Sequence, residues 1–261
     1  MAVKKREKGF NALVSIVERL RSPRGCPWDR EQTMETLRTY LIEEVYEVVE
    51  AIDQDVSEAL KEELGDLLFH IFFLSHIAKE QGKFDIWEVI DRITKKMVHR
   101  HPHVFGEKRV SSSREVEKNW SELKEEEKNH RRSILDGIPH HLPALLRAYR
   151  ITERASRVGF DWEKTDDIFK KLNEEFGELN RALSLGDRRK IEDEVGDILF
   201  VLVNMARLAG HNPEDALRRT TQKFIRRFHH IEKTLEGSQR SLEEASLKEM
   251  DRLWEEAKGE E

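Results

Sequence analysis

Residues 43–69 (EEVYEVVEAIDQDVSEALKEELGDLLF) return as residues 174–200 (EEFGELNRALSLGDRRKIEDEVGDILF), at a constant offset of 131 with no gap over 27 positions. Nine pairs are identical, among them Glu44/Glu175, Glu47/Glu178, Glu63/Glu194, Gly65/Gly196, Asp66/Asp197 and Phe69/Phe200. Many of the pairs are acidic, which a Glu-rich chain inflates. The shared Gly-Asp-x-Leu-Phe ending is not a composition effect. A long internal repeat constrains the fold more than any local motif, because whatever one copy forms the other must form as well. With four residues of slack, Lys96–Arg100 (KMVHR) falls over Lys223–Arg227 (KFIRR). Upstream, WDREQT (28–33) resembles WEKT (162–165).

The repeated unit reads as all-α. Phe169, Leu172, Phe176, Leu179 and Leu183 recur at spacings of three and four, the pattern of an amphipathic helix with a buried stripe. Asp187 precedes a second helix, about Arg189 to Leu208. Gly210-His211-Asn212 breaks it, and Asn212-Pro213 fits an N-cap followed by proline at the first helical position. A third helix then runs from about Glu214 to Leu235, and one from Leu142 to Val158 precedes all three. Only 13 glycines and 6 prolines occur among 261 residues, which counts against a Gly-rich nucleotide fold or a turn-dense sandwich. The expected architecture is a tandem repeat of a four-helix unit, assembled into oligomeric helical bundles. Residues 1–128 form the first domain, with a loop and then a polar helix over Phe105–Asn129. Residues 129–143 are a linker containing DGIPHHLP, 144–236 the second domain, and 237–261 a tail with one more helix.

Composition excludes several functions. Lys and Arg number 46 against 52 Asp and Glu, a net charge of −6, which disfavours non-specific nucleic-acid binding. A single cysteine, Cys26, rules out an internal disulfide or a cysteine-rich zinc site. No apolar run reaches a membrane span, and no apolar segment follows the basic start Lys4-Lys5-Arg6. The expectation is a cytoplasmic protein without membrane or nucleic-acid partners.

The carboxylates carry the chemistry. Glu175 and Glu178 are three apart on one helix, and Glu194 and Asp197 are three apart on the next, so each pair shares a face. An antiparallel pairing of those helices brings four carboxylates together. Their repulsion is relieved by a cation, and a set of hard oxygens suits Mg²⁺ completed by water and phosphate. The first copy repeats the set as Glu44, Glu47, Glu63 and Asp66. Asp197 lies among Val195, Ile198, Leu199 and Phe200, so it is expected to be a buried carboxylate in need of a partner, with Asn204 two turns on. Lys223 and Arg227, four apart, offer cations to a phosphate chain.

Together with CPWDREQT (26–33), HPHVFG (101–106), VGFDW (158–162) and KFIRRF (223–228), the Glu-Glu-x-x-Glu and Glu-x-x-Asp motifs resemble the MazG-type nucleoside triphosphate pyrophosphohydrolases along almost the whole chain. The resemblance implies an all-α, dimeric or higher, Mg²⁺-dependent enzyme, with Mn²⁺ as a substitute. Such an enzyme cleaves nucleoside triphosphates between the α and β phosphates. It implies metal ligands and catalytic groups at Glu175, Glu178, Glu194 and Asp197, with Lys223 assisting. Nucleotide contacts are implied at Lys171, Glu174, Lys190, Asn204, Lys223, Arg227 and, in the tail, Trp254. Trp162 and Phe160 are further candidates for stacking on a base.

The copies are not equivalent. The first has Phe73 where the second has Asn204, and Pro102 shortens its last helix. The second is therefore expected to be catalytic and the first dimerising or regulatory, with a second metal site at most. The residues alone leave two rival readings: a histidine-based phosphohydrolase using His99, His101, His103, His229 and His230, and a non-enzymatic helical interaction module.

Overall fold

The computed structural model describes residues 2–113, 115–116, 119–120, 123, 133–162 and 164–259. They are helical, and divide into two compact units, Met1–Asn129 and His130–Glu261. The end of the polar helix expected up to Asn129, and the start of the expected linker at 129–132, lie outside the described residues.

In the first unit, α1 (Ala2–Arg21) packs on α4 (Ser57–Glu80), which pairs with α3 (Met34–Asp53). The short α2 (Pro27–Glu31) leads into α3, whose start is fixed by reciprocal side-chain bonds between Thr33 and Thr36. Asp85 caps α5 (Ile86–Arg100) in the same way with Glu88. Helix α5 ends where Pro102 begins the four-residue α6 (Pro102–Phe105), since proline has no N–H to continue the ladder. The core gathers Val17, Leu37, Phe72, Phe73, Ile77 and Ile86.

The second unit follows the expected order. Its helices are α7 (Ala144–Ser156), α8 (Thr165–Leu185), α9 (Arg188–Leu208) and α10 (Pro213–Gly237). A 3₁₀ turn at Leu242–Glu244 leads to α11 (Leu247–Gly259). Gly186, at φ +66°, closes α8 in the left-handed conformation, and Asp187 at once caps α9 by accepting from the Lys190 N–H. So short a turn forces α8 and α9 antiparallel. Asn212 accepts from the Glu214 N–H and Pro213 opens α10, as the Asn-Pro pair predicts. Helix α7 lies across α9 and α10, while α11 folds back on α10 around Ile231, Leu235 and Leu253.

The structure corrects the expected stripe on α8. Its buried line is Ile168, Glu175 and Ala182, seven apart, whereas Phe169, Phe176 and Leu183 are half-exposed. Helix α7 sits against α9 and α10, so among the described residues of the unit no helix covers that apolar face of α8. The same holds in the first copy: Val45, Ile52, Leu64 and Leu68 are exposed at the positions equivalent to Phe176, Leu183, Val195 and Leu199, which are also exposed. No helix among the described residues is long and apolar enough to cross a membrane.

Phe73 is 1% exposed, and the Arg21 guanidinium lies 5.4 Å above its ring. Truncating it to alanine should cost about 3–5 kcal/mol, the usual loss for a core phenylalanine. Urea unfolding of Phe73→Ala checks this; a loss below about 1 kcal/mol would show that the ring is not core.

Candidate metal centre and adjoining cavity

Carboxylate oxygens of Glu175 on α8 and of Glu194 and Asp197 on α9 all lie within 4.8 Å of one another. Glu44, Glu63 and Asp66 converge in the same way across α3 and α4. The fourth member of each set stands beside the trio and repels it: Glu178 acts on Glu194, and Glu47 acts on Glu63 and Glu44. Glu178 itself pairs with Arg181 at 3.1 Å.

The burial pattern reverses one expectation. Asp197 is exposed, and Glu175 is the buried carboxylate at 4%. The apolar neighbours of Asp197 divide between faces of α9: Ile198 and Val201 point inward, while Val195, Leu199 and Phe200 face outward with it. A buried glutamate needs a cation, and Lys171, one turn earlier on α8, supplies it at 2.7 Å while also reaching Glu174 at 2.8 Å. Those hydrogen bonds raise the Lys171 pKa, so the ammonium stays charged. In the first copy the equivalent of Lys171 is Tyr40. There, the partly buried Glu44 meets His70 Nε2 at 3.3 Å from across the helix pair, and the His70 ring lies parallel to Tyr40.

Desolvation, then repulsion from Glu178, Glu175 and Asp197, pushes the Glu194 pKa above the usual carboxylate range. Its Oε2 is buried with no hydrogen-bond partner. An orphaned acceptor facing two other carboxylates is what a divalent cation satisfies, and an all-oxygen set favours a hard ion.

A cavity of about 540 Å³ adjoins the centre in the second unit. Lys171, Glu175, Asp197 and Asn204 form its polar wall, and Leu135, Ile151, Phe160, Trp162, Phe200 and Val201 its apolar one. Phe160 and Trp162 are brought there by the turn after α7, where Gly159 adopts φ +86°. Asp161 in that turn binds Arg207 of α9, which also donates to Asn204. Burial works to raise the Asp161 pKa, but the bonds from Arg207 and from the Trp162 N–H outweigh it and hold the carboxyl below its ordinary range. Sequence reasoning missed Asp161 and Arg207. An arginine in the last turn of a helix reads as a dipole-complementing surface cation, and nothing local marks it as buried.

The other predicted contacts lie off this cavity wall. Lys190 and Lys223 are exposed on α9 and α10. Arg227 lies over the Trp254 ring at 5.4 Å, and Trp254 packs on Phe224 at 5.0 Å. The first copy holds a matching pair, Arg100 over Trp120 at 5.8 Å. Trp120 is thus a counterpart of Trp254 that the repeat comparison overlooked, because WSELK and WEEAK lie beyond the aligned block. The histidine reading gathers no ligand set among the described residues: His101 hydrogen-bonds the Met97 carbonyl and packs on Trp120.

The raised Glu194 pKa has a testable sign. Between its unfolded and folded values the native state binds the extra proton, so this group's contribution to stability falls as pH rises through that window. In metal-free protein, Glu194→Gln should raise the melting temperature at pH 7 and leave it nearly unchanged at pH 4. Thermal melts in a chelator at both pH values check this. A Glu194→Gln protein less stable than the parent at pH 7 would show that carboxylate repulsion does not dominate the centre.

Comparison with known proteins places these features in context. Residues 32–105 and 163–232 both match the MazG nucleotide pyrophosphohydrolase domain. A nucleoside triphosphate pyrophosphohydrolase/pyrophosphatase MazG from Thermotoga maritima is 46% identical over 251 residues, 96% of each chain. A nucleoside triphosphate pyrophosphohydrolase from Escherichia coli K12 is 40% identical over 97% of this chain and 98% of its own. The crystal structure of a mazG-related protein from Thermotoga maritima aligns with a TM-score of 0.39 and 34% identity, over 44% of this chain and 98% of that one.

Proposed function

The chain belongs to the MazG nucleotide pyrophosphohydrolase family, and from that premise we propose that its second unit performs the family's reaction at the Glu175/Glu194/Asp197 centre. The protein is a nucleoside triphosphate pyrophosphohydrolase: water attacks the α-phosphorus, and the products are the nucleoside monophosphate and pyrophosphate. The observation that carries the assignment to the second unit is the cavity. It opens beside Glu175 and Asp197 through Asn204, whereas in the first unit Phe73 occupies that repeat position as core.

The donor set of Glu175, Glu194 and Asp197 fits Mg²⁺, with Mn²⁺ as a substitute, and Glu178 beside it would complete the ligands; a bound ion would polarise the α-phosphate and acidify the attacking water. Lys171 pairs with Glu175 and lends positive charge to the cavity wall, with Glu174 as its second anchor. A carboxylate of the cluster accepts the water's proton. Lys190, Lys223 and Arg227 neutralise the β and γ phosphates as negative charge accumulates on the leaving group. Trp254 holds Arg227 in place from its ring face. The carboxylates of Glu44, Glu47, Glu63 and Asp66 form at most a second cation site.

The protein assembles as a homodimer or larger. The support is the apolar face left open on the carboxylate-bearing helices of both copies. Sedimentation equilibrium at micromolar concentration should find at least a dimer; a 31 kDa monomer alone would refute this.

Incubation with dGTP and Mg²⁺ should release dGMP and pyrophosphate; dGDP and phosphate would overturn the reading. Asp66→Ala and Asp197→Ala are substitutions at matched repeat positions. Asp197→Ala should lower kcat at least ~100-fold, because it removes a ligand used in the transition state. Asp66→Ala should cost far less while the oligomer persists. Equal losses in two folded variants of the same oligomeric state would show that the first centre is also catalytic.

A further inference from the structure

Helix α9 carries Lys190, Asp197 and Asn204 at intervals of seven residues, hence on nearly one face, with about 10 Å between successive members. The order runs from cation to carboxylate to amide. With phosphates directed towards Lys190 and the reacting phosphorus at Asp197, Asn204 stands at the opposite, nucleoside end. The apolar part of the cavity agrees with this polarity, because Phe160, Trp162, Phe200 and Val201 line it together with Asn204.

The amide of Asn204 is not free to choose its role. Arg207 Nε and Nη2 both donate to its Oδ1, at 3.0 and 2.7 Å. A guanidinium has donors only, so the atom facing it must be the oxygen. With its oxygen engaged twice, the Asn204 side chain has only its NH₂ to offer elsewhere. The same guanidinium, 10% exposed, grips Asp161 through Nη1 at 3.1 Å and through Nη2. It thereby ties the turn that bears Phe160 and Trp162 to α9. In the first copy the equivalents of Asn204 and Arg207 are Phe73 and His76, so the device belongs to the second unit alone.

We propose that Arg207 is a positioning residue for substrate recognition: it locks Asn204 as an obligate donor to an acceptor atom on the nucleoside, and pins the aromatic rim through Asp161. This rests on the pyrophosphohydrolase reading above. Arg207 itself touches no reacting atom. Its loss should therefore weaken binding of ground state and transition state alike, raising KM with little change in kcat.

The experiment is steady-state kinetics on the full-length protein with dGTP and Mg²⁺, beside inhibition by inorganic tripolyphosphate, which has no nucleoside. Arg207→Met should raise KM about tenfold, the effect of one well-made hydrogen bond, with kcat within about threefold. Asn204→Ala should do the same, and the double variant should lose clearly less than the two single losses combined, since the two changes share the Arg207–Asn204 contact. Tripolyphosphate inhibition should be unchanged throughout. A folded Arg207→Met with the parent's KM overturns the proposal, as do additive losses in the double variant. Tripolyphosphate inhibition weakened in step with dGTP would place Asn204 on the phosphates and overturn it too. Should Arg207→Met fail to fold, Arg207→Lys serves, because it keeps the charge beside Asp161 but cannot donate twice in one plane. A raised KM at constant kcat then supports the proposal, and the parent's kinetics sink it. Failure of the parent itself to yield dGMP and pyrophosphate would instead refute the underlying reading before any variant is compared.

Discussion

Everything in the second unit is arranged around one unfavourable contact, the convergence of Glu175, Glu194 and Asp197 across an antiparallel helix pair. Two such charges 4 Å apart near a protein surface repel by roughly 4 kcal/mol. The fold tolerates them because each is handled differently. Glu175 is buried and paired to Lys171, Asp197 faces solvent, and Glu194 is shifted towards its protonated form. The first unit meets the same difficulty with other residues: Tyr40 replaces Lys171, His70 replaces Val201, and the imidazole crosses the pair to reach Glu44. The equivalent glutamates differ in burial, Glu175 being buried and Glu44 only partly so, yet each meets a nitrogen-bearing side chain and keeps its place in the carboxylate trio.

The copies separate where the scaffold ends and the site begins. Both keep the carboxylate trio, and both carry on their later helix an arginine over a tryptophan, Arg100 on Trp120 and Arg227 on Trp254. Since the first unit keeps that pair with Phe73 in its core, the pair has a structural role that does not depend on the cavity. What distinguishes the second unit is smaller. An amide replaces Phe73, an arginine one turn on holds that amide, and an aromatic turn ends at Trp162.

Much of this was legible in the sequence, for identifiable reasons. The starts of α9 and α10 are set by Asp187 and Asn212-Pro213, whose effects are local and survive any tertiary context. The carboxylates were legible because the spacing of three fixes a shared face and the repeat fixes which face matters twice. Which carboxylate is buried was not legible. Asp197 has the more apolar neighbours in sequence, but burial is decided by where α7 lies, and that is a long-range fact. The hydrophobic period of α8 likewise could not tell a stripe buried inside the unit from one presented outward. Both satisfy the same spacing, and Phe169, Phe176 and Leu183 take the second option. Arg207 and Asp161 left no trace, since 46 residues separate two partners that the turn after α7 brings together.

That outward stripe joins assembly to chemistry. Val195, Leu199 and Phe200 continue it onto α9, and Phe200 is at once exposed to solvent and part of the cavity wall. An apolar ring in that position gains about 25 cal/mol for each Å² that a covering surface removes from water. A surface covering this face would also abut the cavity beside Asp197 and Asn204 and so shape the space within it. The carboxylate-bearing helices therefore serve two surfaces, an inner one set by charge and an outer one set by hydrophobicity. Phe200 stands where the two meet. On the proposed assembly and nucleotide site, a substitution there should act on association and on nucleotide affinity together, whereas Leu183, on the outward stripe but not in the cavity wall, should act only on the first.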